Sequence, residues 1–229
     1  MDTYTSLSQE KSFIDRLEVR VVVFSLRDDQ LQALFCRSEP VISQVAWELP
    51  GDCIPIHQSL EQSASQCLAH FIGLHEAYLE QLYTYGDPGQ DLEKRVISVV
   101  YFAIIPADTI INTKIQPLTK WFPVKELPEL AKNHRDILDY ALRRLRYKLE
   151  YTAVGFELLP ENFTLTELQR TYELILGEKL DKRNFRRRIL EAGVIEPIGQ
   201  WQSGEGRPAR LYRYRPDAVA EVQARRLFP

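Results

Sequence analysis

Apolar positions in the first two thirds of the chain fall mainly into short runs of the β type. Residues 18–26 (EVRVVVFSL) and 95–105 (RVISVVYFAII) are rich in β-branched and aromatic side chains, which predicts two buried strands. The turn residues 27–30 and the apolar run 31–37 predict a hairpin after the first strand. Residues 78–85 predict a further strand, because a Gly-Asp-Pro-Gly turn signal follows them. These runs indicate a sheet-based domain.

Two segments of this region have helical spacing instead. Ser59 and Gln62 form a capping-box pattern, and the apolar positions that follow predict an amphipathic helix over 60–71 that ends at Gly73. Residues 134–149 predict a second helix, which we expect to connect to the next domain. Its apolar stripe contains Ile137, Leu138, Ala141, Leu142, Leu145 and Leu149.

The last third of the chain has a different order of elements. Thr164, followed by a glutamate three residues later, and Asp181 mark two helix starts, and Gly177 and Gly193 mark the helix ends. Two short strands around a glycine-rich turn come next. The predicted helices and strands are residues 164–176, 182–192, 194–200 and 209–215. Helix, helix, strand, turn and strand is the order of a winged helix.

Charge divides the chain in the same way. Residues 1–150 carry 16 Lys and Arg against 21 Asp and Glu, a net charge of -5, whereas residues 151–229 carry 13 against 11, a net charge of +2. Within residues 179–215 the numbers are 10 and 4, a net charge of +6. A basic patch in an acidic protein indicates a local site for a polyanion. We therefore predict two domains, 1–150 and 151–229, joined near Gly155–Pro160.

The remaining composition narrows the class of protein. No apolar run reaches the roughly 18 residues that predict a membrane-spanning helix. The N-terminus, MDTYTSLSQEKSF, lacks the basic start and apolar core of a signal peptide. Cys36, Cys53 and Cys67 are widely spaced and form no C-x-x-C pair, which favours reduced thiols over disulfides or zinc ligands. We expect a cytoplasmic protein with no membrane partner.

Residues 49–74, LPGDCIPIHQSLEQSASQCLAHFIGL, resemble the strand–loop–helix of a Nudix box. Leu68, Gly73 and Leu74 keep scaffold positions of that pattern. The glycine, arginine and acidic positions are occupied here by Asp52, Gln58, Gln66, Cys67, His70 and Phe71. Mg²⁺ and Mn²⁺ require carboxylate oxygens, so we expect neither a bound metal nor catalysis. Zinc bound by Cys67 and His70 is the alternative, although Cys67 belongs to the apolar stripe.

A nucleotide diphosphate can be held without a metal by guanidinium groups, backbone amides and stacking aromatic rings. The candidates are Arg37 at the end of a strand, Trp47 before the Leu-Pro-Gly turn, and Arg95 at the start of the long strand. Each has a structural alternative. Arg37 could be an exposed charge at the sheet edge, Trp47 a core residue, and Arg95 a partner of Asp87 or Asp91.

The segment 181–193, DKRNFRRRILEAG, carries the strongest functional signal. Its spacing directs Phe185, Ile189 and Leu190 toward a core and leaves basic side chains on the other faces. Arg and Asn near the start of a recognition helix read guanine and adenine in the major groove. A wing at 204–208 would contact phosphate or the minor groove. The candidate DNA-binding residues are Lys182, Arg183, Asn184, Arg186, Arg187, Arg207 and Arg210, and a solvated basic helix is the alternative reading.

The ordered set of motifs resembles the family of Nudix-related transcriptional regulators, NrtR. The segments that carry the resemblance are the degenerate Nudix box, QLYTYGDPGQD at 81–91, RVISVVYFAIIP at 95–106, LPELAKNHRDIL at 127–138, FTLTELQRTYELILG at 163–177, LDKRNFRRRIL at 180–190 and GRPARLYRY at 206–214. The resemblance implies an α+β chain with an N-terminal Nudix-like α/β/α sandwich and a C-terminal winged helix-turn-helix. It also implies a homodimer on palindromic double-stranded DNA that represses genes of NAD metabolism, with ADP-ribose as the effector that releases DNA.

The chain departs from the family pattern at the acidic Nudix positions and at Asn133, where an acidic residue usually precedes the histidine. We therefore expect a regulator with a catalytically inactive Nudix domain, for which ADP-ribose or a related nucleotide is an effector and not a cofactor. Two other classes stay open. One is a residual nucleoside-diphosphate hydrolase that recruits Glu48, Asp52 or Glu61, and the other is an RNA-binding or protein-docking module.

Overall fold

The computed structural model describes residues 16–37, 46–87, 95–110, 116–131, 133–151, 153–203, 208–215 and 217. The first part contains the strands β1 (Arg16–Arg27), β2 (Gln30–Cys36), β3 (Gly51–Cys53), β4 (Tyr78–Tyr85), β5 (Val96–Ile104) and β6 (Thr119–Pro123). Its helices are α1 (Leu60–Ile72), α2 (Ala107–Ile110) and α3 (His134–Tyr151). None of the described helices is long and apolar enough to cross a lipid bilayer.

The strands form one mixed sheet. Its order is β4-β5-β1-β2-β6, and β3 pairs with β1 outside this path. β1 and β5 run parallel from the pair Arg16 and Val96 to the pair Phe24 and Ile104, whereas the other neighbours are antiparallel. The predicted hairpin of β1 and β2 and the predicted strands β4 and β5 are confirmed.

Alternate residues of β1 enter two separate cores because side chains of a strand point to opposite faces. Val22 and Phe24 belong to the cluster that includes the apolar stripe of α3. Val19, Val21 and Val23 belong to the cluster that includes α1. All five side chains are fully buried, so helices cover both faces of the sheet. The expected α/β/α sandwich is confirmed.

The helix ends form as the sequence predicts. The Ser59 side chain accepts a hydrogen bond from the backbone N–H of Gln62, and Oε1 of the Gln62 side chain accepts one from the backbone N–H of Ser59. Gly73 ends α1 in the left-handed conformation, with φ 69°, which a glycine adopts without a steric penalty. Thr164 and Glu167 form an equivalent capping box in the second part.

The second part is a winged helix. Its elements are β7 (Asn162–Thr164), α4 (Leu165–Leu176), α5 (Lys182–Glu191), β8 (Ile195–Gln202) and β9 (Ala209–Tyr214). The three strands pair in the order β7-β9-β8. Strand β7 was not predicted, since three residues are too few to show a pattern. The prediction for Leu190 was wrong: it is 49% exposed, because it lies about 100° around α5 from the buried Ile189.

A 3-10 helix, Ala153–Leu158, connects the two parts. Its Val154 and Phe156 side chains are buried. A Cβ atom on Gly155 would lie 2.8 Å from Cδ2 of Leu149, so any larger residue here would force the packed side chains to shift. One apolar cluster extends from the α3 face of the sheet through this helix into α4 and α5. The segment between the two parts is therefore packed, and it is not a free linker.

Candidate ligand cleft and DNA-binding surface

A cleft of about 500 Å³ lies where the Nudix-box segment meets β1 and β2. The residues that decide its chemistry are Arg16, Glu18, Arg20, Arg37, Glu48 and Phe71. The first three come from one strand, where alternate positions place them on the same face of the sheet. Sequence analysis missed Arg16 and Arg20, although the polar residues at every second position of β1 were a signal that could have found them.

Arg20 is the centre of a network of ion pairs in this cleft. Its Nε lies 2.8 Å from Oε1 of Glu18, and its Nη1 lies 3.0 Å from Oε2 of Glu48. Glu18 also contacts Nη2 of Arg16 at 2.6 Å and accepts a hydrogen bond from Ser98 Oγ at 2.8 Å. Both carboxylates are thus already bound by guanidinium groups.

The network keeps Glu18 ionised although its side chain is buried. Burial is the largest influence and by itself raises the pKa of Glu18. The hydrogen bonds and charge of Arg20, with smaller contributions from Ser98 and Arg16, outweigh burial, and the pKa is lowered overall. A carboxylate held in this way is a structural anion and not an open metal ligand.

The Nudix fold implies a divalent cation, but the described residues around this cleft do not fit one. At two of the substituted positions, Gln58 Nε2 donates to Gln66 Oε1 at 3.0 Å, so the amides bind each other. Cys67 is 1% exposed, and burial raises the pKa of its thiol, which keeps it protonated and unsuited to binding zinc. Among the residues that the structure describes, no group of three or more His, Cys, Asp or Glu could hold a metal ion. Phe71 lines the cleft where the family pattern has a glutamate.

The structure brings two of the three predicted ligand residues together. The guanidinium of Arg37 lies 4.3 Å from the ring centroid of Trp47. Trp47 is half-buried and meets Phe122 edge-on, with the ring centroids 4.8 Å apart. Arg37 lines the cleft, whereas Trp47 and Arg95 are not among its described lining residues. The backbone carbonyl of Arg95 accepts a hydrogen bond from the N–H of Arg16, which places it beside the strand that carries the cleft arginines.

A buried histidine fixes the Leu-Pro-Gly turn next to the cleft. The backbone N–H of Leu49 donates to Nδ1 of His134 at 3.1 Å. Burial, and next the charge of Arg20, lower the pKa of His134 to about 4. The imidazole is therefore neutral at neutral pH, and Nδ1 is free of a proton and able to accept. This contact ties the start of α3 to the Nudix-box segment.

The basic residues of α5 form two sets. Asp181 caps the helix by accepting from the N–H of Asn184 at 2.8 Å. Lys182, Arg183 and Arg186 share an open hollow at this end of the helix. Arg187 instead lies 2.9 Å from Oδ1 of Asn184 and 3.2 Å from a carboxylate oxygen at the end of α5, so these side chains hold each other.

Arg186 also contacts α4. Its Nη2 donates to Oγ1 of Thr166 at 3.1 Å, and its Nε is buried without a hydrogen-bond partner in the described part of the chain. In the wing, Arg210 lies on β9 with its guanidinium 5.9 Å from the ring centroid of Tyr212. The predicted contact Arg207 lies outside the described residues. The roles of all these residues in DNA binding stay predictions.

Comparison with known proteins gives matches along almost the whole chain. Residues 155–214 match the NrtR DNA-binding winged helix domain. The ADPR responsive transcriptional repressor NtrR of Acinetobacter baylyi is 34% identical in an alignment of 230 positions that covers 93% of this chain and 92% of the relative.

Solved structures agree with these matches. The crystal structure of Shewanella oneidensis NrtR complexed with a 27mer DNA superposes with a TM-score of 0.78 at 31% identity, covering 92% of this chain and 96% of that one. The NUDIX domain of the same protein complexed with ADP ribose superposes with a TM-score of 0.51 at 28% identity, covering 61% of this chain and 94% of that one. On its sequence and its fold, this chain belongs to the NrtR family.

Proposed function

We propose that this protein is a transcription repressor that binds double-stranded DNA and responds to ADP-ribose or a related nucleotide. One observation carries the proposal: a single chain joins an arginine-lined cleft to a winged helix with a basic α5, and among the described residues no group of His, Cys, Asp or Glu could hold a metal ion. The Acinetobacter relative is named an ADPR responsive transcriptional repressor, which supports the same reading. The proposed targets are genes of NAD metabolism, as in the family.

The cleft supplies charge for a diphosphate without a metal. Arg16 keeps 48% of its side chain exposed, and Arg37, which also lines the cleft, is exposed. Guanidinium groups bind phosphate oxygens through paired hydrogen bonds, which makes these two residues suited to the diphosphate. Trp47, behind Arg37, and Arg95, beside Arg16, complete the proposed ligand site.

The same cleft is unsuited to hydrolysis. Hydrolysis of a diphosphate in this fold requires a divalent cation that activates water and neutralises phosphate charge. Glu18 and Glu48 are bound to Arg20, and the acidic positions on α1 are occupied by other side chains. We propose a sensor that binds its nucleotide without cleaving it, and no enzymatic activity.

We assign ligand sensing to residues 1–150, the sensor domain, and DNA binding to residues 151–229. The proposed DNA contacts are Lys182, Arg183, Asn184, Arg186, Arg187, Arg207 and Arg210. A homodimer would present two winged helices to half-sites of a palindrome, which lie about 34–36 Å apart on one face of B-DNA. Since both winged helices must contact their half-sites at the same time, a small ligand-induced displacement of one domain is enough to release DNA. A DNA-binding role implies a cytoplasmic protein.

Fluorescence anisotropy with labelled duplex DNA from upstream of the gene for this protein tests the proposal. We expect specific binding that is lost on addition of ADP-ribose, and weaker binding to an unrelated duplex at the same salt concentration. RNA of the same sequence is the control for a general polyanion site, because phosphate binding without sequence specificity is strongly dependent on salt. Equal binding to all three nucleic acids would overturn the regulator assignment, and specific binding that ADP-ribose leaves unchanged would overturn the effector assignment.

A further inference from the structure

Trp201 is 62% exposed, although tryptophan is one of the side chains most buried on average. The other two tryptophans, Trp47 and Trp121, are half-buried in the sensor domain. Trp201 lies on β8, at the end of the strand that leads into the wing. Its position has no role in the core of the winged helix, so its exposed ring needs another explanation.

Trp201 lies beside a positive charge. It is the register partner of Arg210 across the β8–β9 ladder, next to an irregularity between Pro197 and Trp201. Gly199 adopts φ 75° within this irregularity, a conformation that favours glycine. Directly opposite side chains in an antiparallel pair lie on the same face of the sheet, about 5 Å apart at Cβ. Trp201 and Arg210 are therefore neighbours on one face of the β8–β9 ladder.

This end of the wing lies close to the basic end of α5. Gln202, next to Trp201, has its Nε2 3.4 Å from Oε1 of Glu167 in the first turn of α4. Arg186 reaches the adjacent Thr166. The wing and α5 thus meet at two successive residues of one helix. The end of β8 that carries Trp201 and the α5 residue Arg186 are therefore both close to the first turn of α4.

We infer that Trp201 is a DNA-contacting residue, whose ring packs against the deoxyribose of the DNA backbone and whose indole N–H donates to a phosphate oxygen. The inference rests on the proposed function and names a further contact of the same surface. Duplex DNA is the occupant that fits, because the neighbouring side chains are cationic and a tryptophan offers both an apolar face and a donor. Such a contact fixes the wing on the backbone and does not read sequence.

Intrinsic fluorescence gives a direct test, because the chain has three tryptophans and one of them is on the wing. Addition of operator DNA to the full-length protein is expected to change the emission of the wild type. In Trp201→Phe this change disappears, while in the control Trp121→Phe it stays. A change that persists in Trp201→Phe would place the responsive tryptophan elsewhere and overturn the inference.

Affinity measurements distinguish the contribution of Trp201 to DNA binding from that of Arg210. Trp201→Ala is expected to weaken binding to operator and to unrelated duplex alike, by roughly tenfold, with the salt dependence unchanged because no charge is removed. Arg210→Ala should instead reduce the slope of log affinity against log salt by about one. Wild-type affinity in Trp201→Ala would contradict the contact.

Further measurements distinguish loss of the Trp201 contact from unfolding of the variant, from absence of DNA binding by the wild type and from a change in oligomeric state. Unchanged circular dichroism and ADP-ribose affinity show that the variants fold. A wild type that binds no DNA is a failure of the proposed function and not of the wing contact. A Trp201→Ala protein that changes its oligomeric state, seen by light scattering, would assign the ring to a second copy of the chain and overturn the DNA contact.

Discussion

Arg170 on α4 and Asp29 in the β1–β2 turn form a two-point ion pair that joins the winged helix to the sensor domain. Nε of Arg170 donates to one carboxylate oxygen of Asp29 at 2.8 Å, and Nη2 donates to the other. The strand that leads into this turn, β1, carries the cleft residues Arg16 and Arg20. One continuous strand therefore connects the ligand cleft with the contact to the DNA-binding domain.

This connection predicts that Asp29 couples the two sites. Asparagine tolerates the positive φ of 58° at this position, so Asp29→Asn removes the charge and keeps the turn. We expect the variant to bind ADP-ribose and DNA separately as the wild type does. The ratio of its DNA affinities without and with ADP-ribose should fall toward one, measured by anisotropy.

Asp28→Asn is the matched control, because Asp28 also has a positive φ but its carboxylate faces Gln32. It should keep the wild-type ratio. If Asp29→Asn also kept that ratio, the ion pair would have no part in the response to ligand.

Removal of Arg20 is expected to destabilise the sensor domain. Its side chain is 13% exposed, and its loss would leave the buried Glu18 charge without its main partner. Breaking a buried pair from one side costs about 3–5 kcal/mol. Urea denaturation of Arg20→Met should show a loss of this size in the free energy of unfolding. The double variant Arg20→Met with Glu18→Gln should recover much of it, and no recovery would mean that Glu18 is not the origin of the loss.

Ligand binding is expected to be independent of metal. EDTA should leave the ADP-ribose affinity unchanged in calorimetric titrations, because guanidinium groups and not a cation neutralise the diphosphate. Incubation with ADP-ribose and Mg²⁺ or Mn²⁺ should give no AMP by chromatography. Formation of AMP at a rate that depends on the metal would support the alternative of a residual hydrolase.

The two sets of basic residues on α5 predict different losses of DNA affinity when single arginines are replaced. Arg186→Ala and Arg187→Ala should both weaken DNA binding with the fold intact. The loss should be larger for Arg186, which lines the open hollow and has one described hydrogen bond, to Thr166, than for Arg187, which Asn184 and the end of the helix hold through three. A phosphate contact reduces the salt slope by about one, whereas a base contact costs about 1–3 kcal/mol for the operator alone.

Arg135→Ala is a suitable charge control for these variants, since Arg135 is exposed on α3 and paired with Asp139. It should bind DNA as the wild type does. Wild-type binding by both α5 variants would show that this helix does not face DNA.

His134 predicts a loss of stability in mild acid. Its pKa is lowered to about 4 in the folded protein, against about 6.5 in the unfolded chain. As the pH falls below 6.5 the unfolded state takes up the proton first. The contribution of His134 to the free energy of unfolding is therefore complete above pH 6.5 and falls by about 3 kcal/mol toward pH 4. In His134→Gln, whose amide oxygen can accept from Leu49, this part of the pH dependence should disappear. The exposed His75→Gln is the control and should follow the wild type.

The sequence by itself determined the longer strands and helices, the absence of the Nudix carboxylates and the basic character of α5. The β-branched run of β1 and the capping boxes at Ser59 and Thr164 are local signals, since strands follow from side-chain alternation and helix starts from residues three apart in the chain. Two further features can also be recognised without a structure, namely the absence of the Nudix carboxylates and the basic residues of α5. They predicted a fold and a candidate function before any contact was known.

Only the tertiary structure decided which charges are free to act. Arg20 and Glu48 are 28 residues apart, and Asp29 and Arg170 are 141 apart, so no local pattern could pair them. The register of β1 with its neighbours and the packing of α4 bring these groups together and use their charges in the fold. Arg37 and Trp47 likewise meet only because the chain returns along β2. The sequence determines which charged and hydrogen-bonding groups the chain has, whereas the packing of strands and helices determines which of these groups lie close enough to pair.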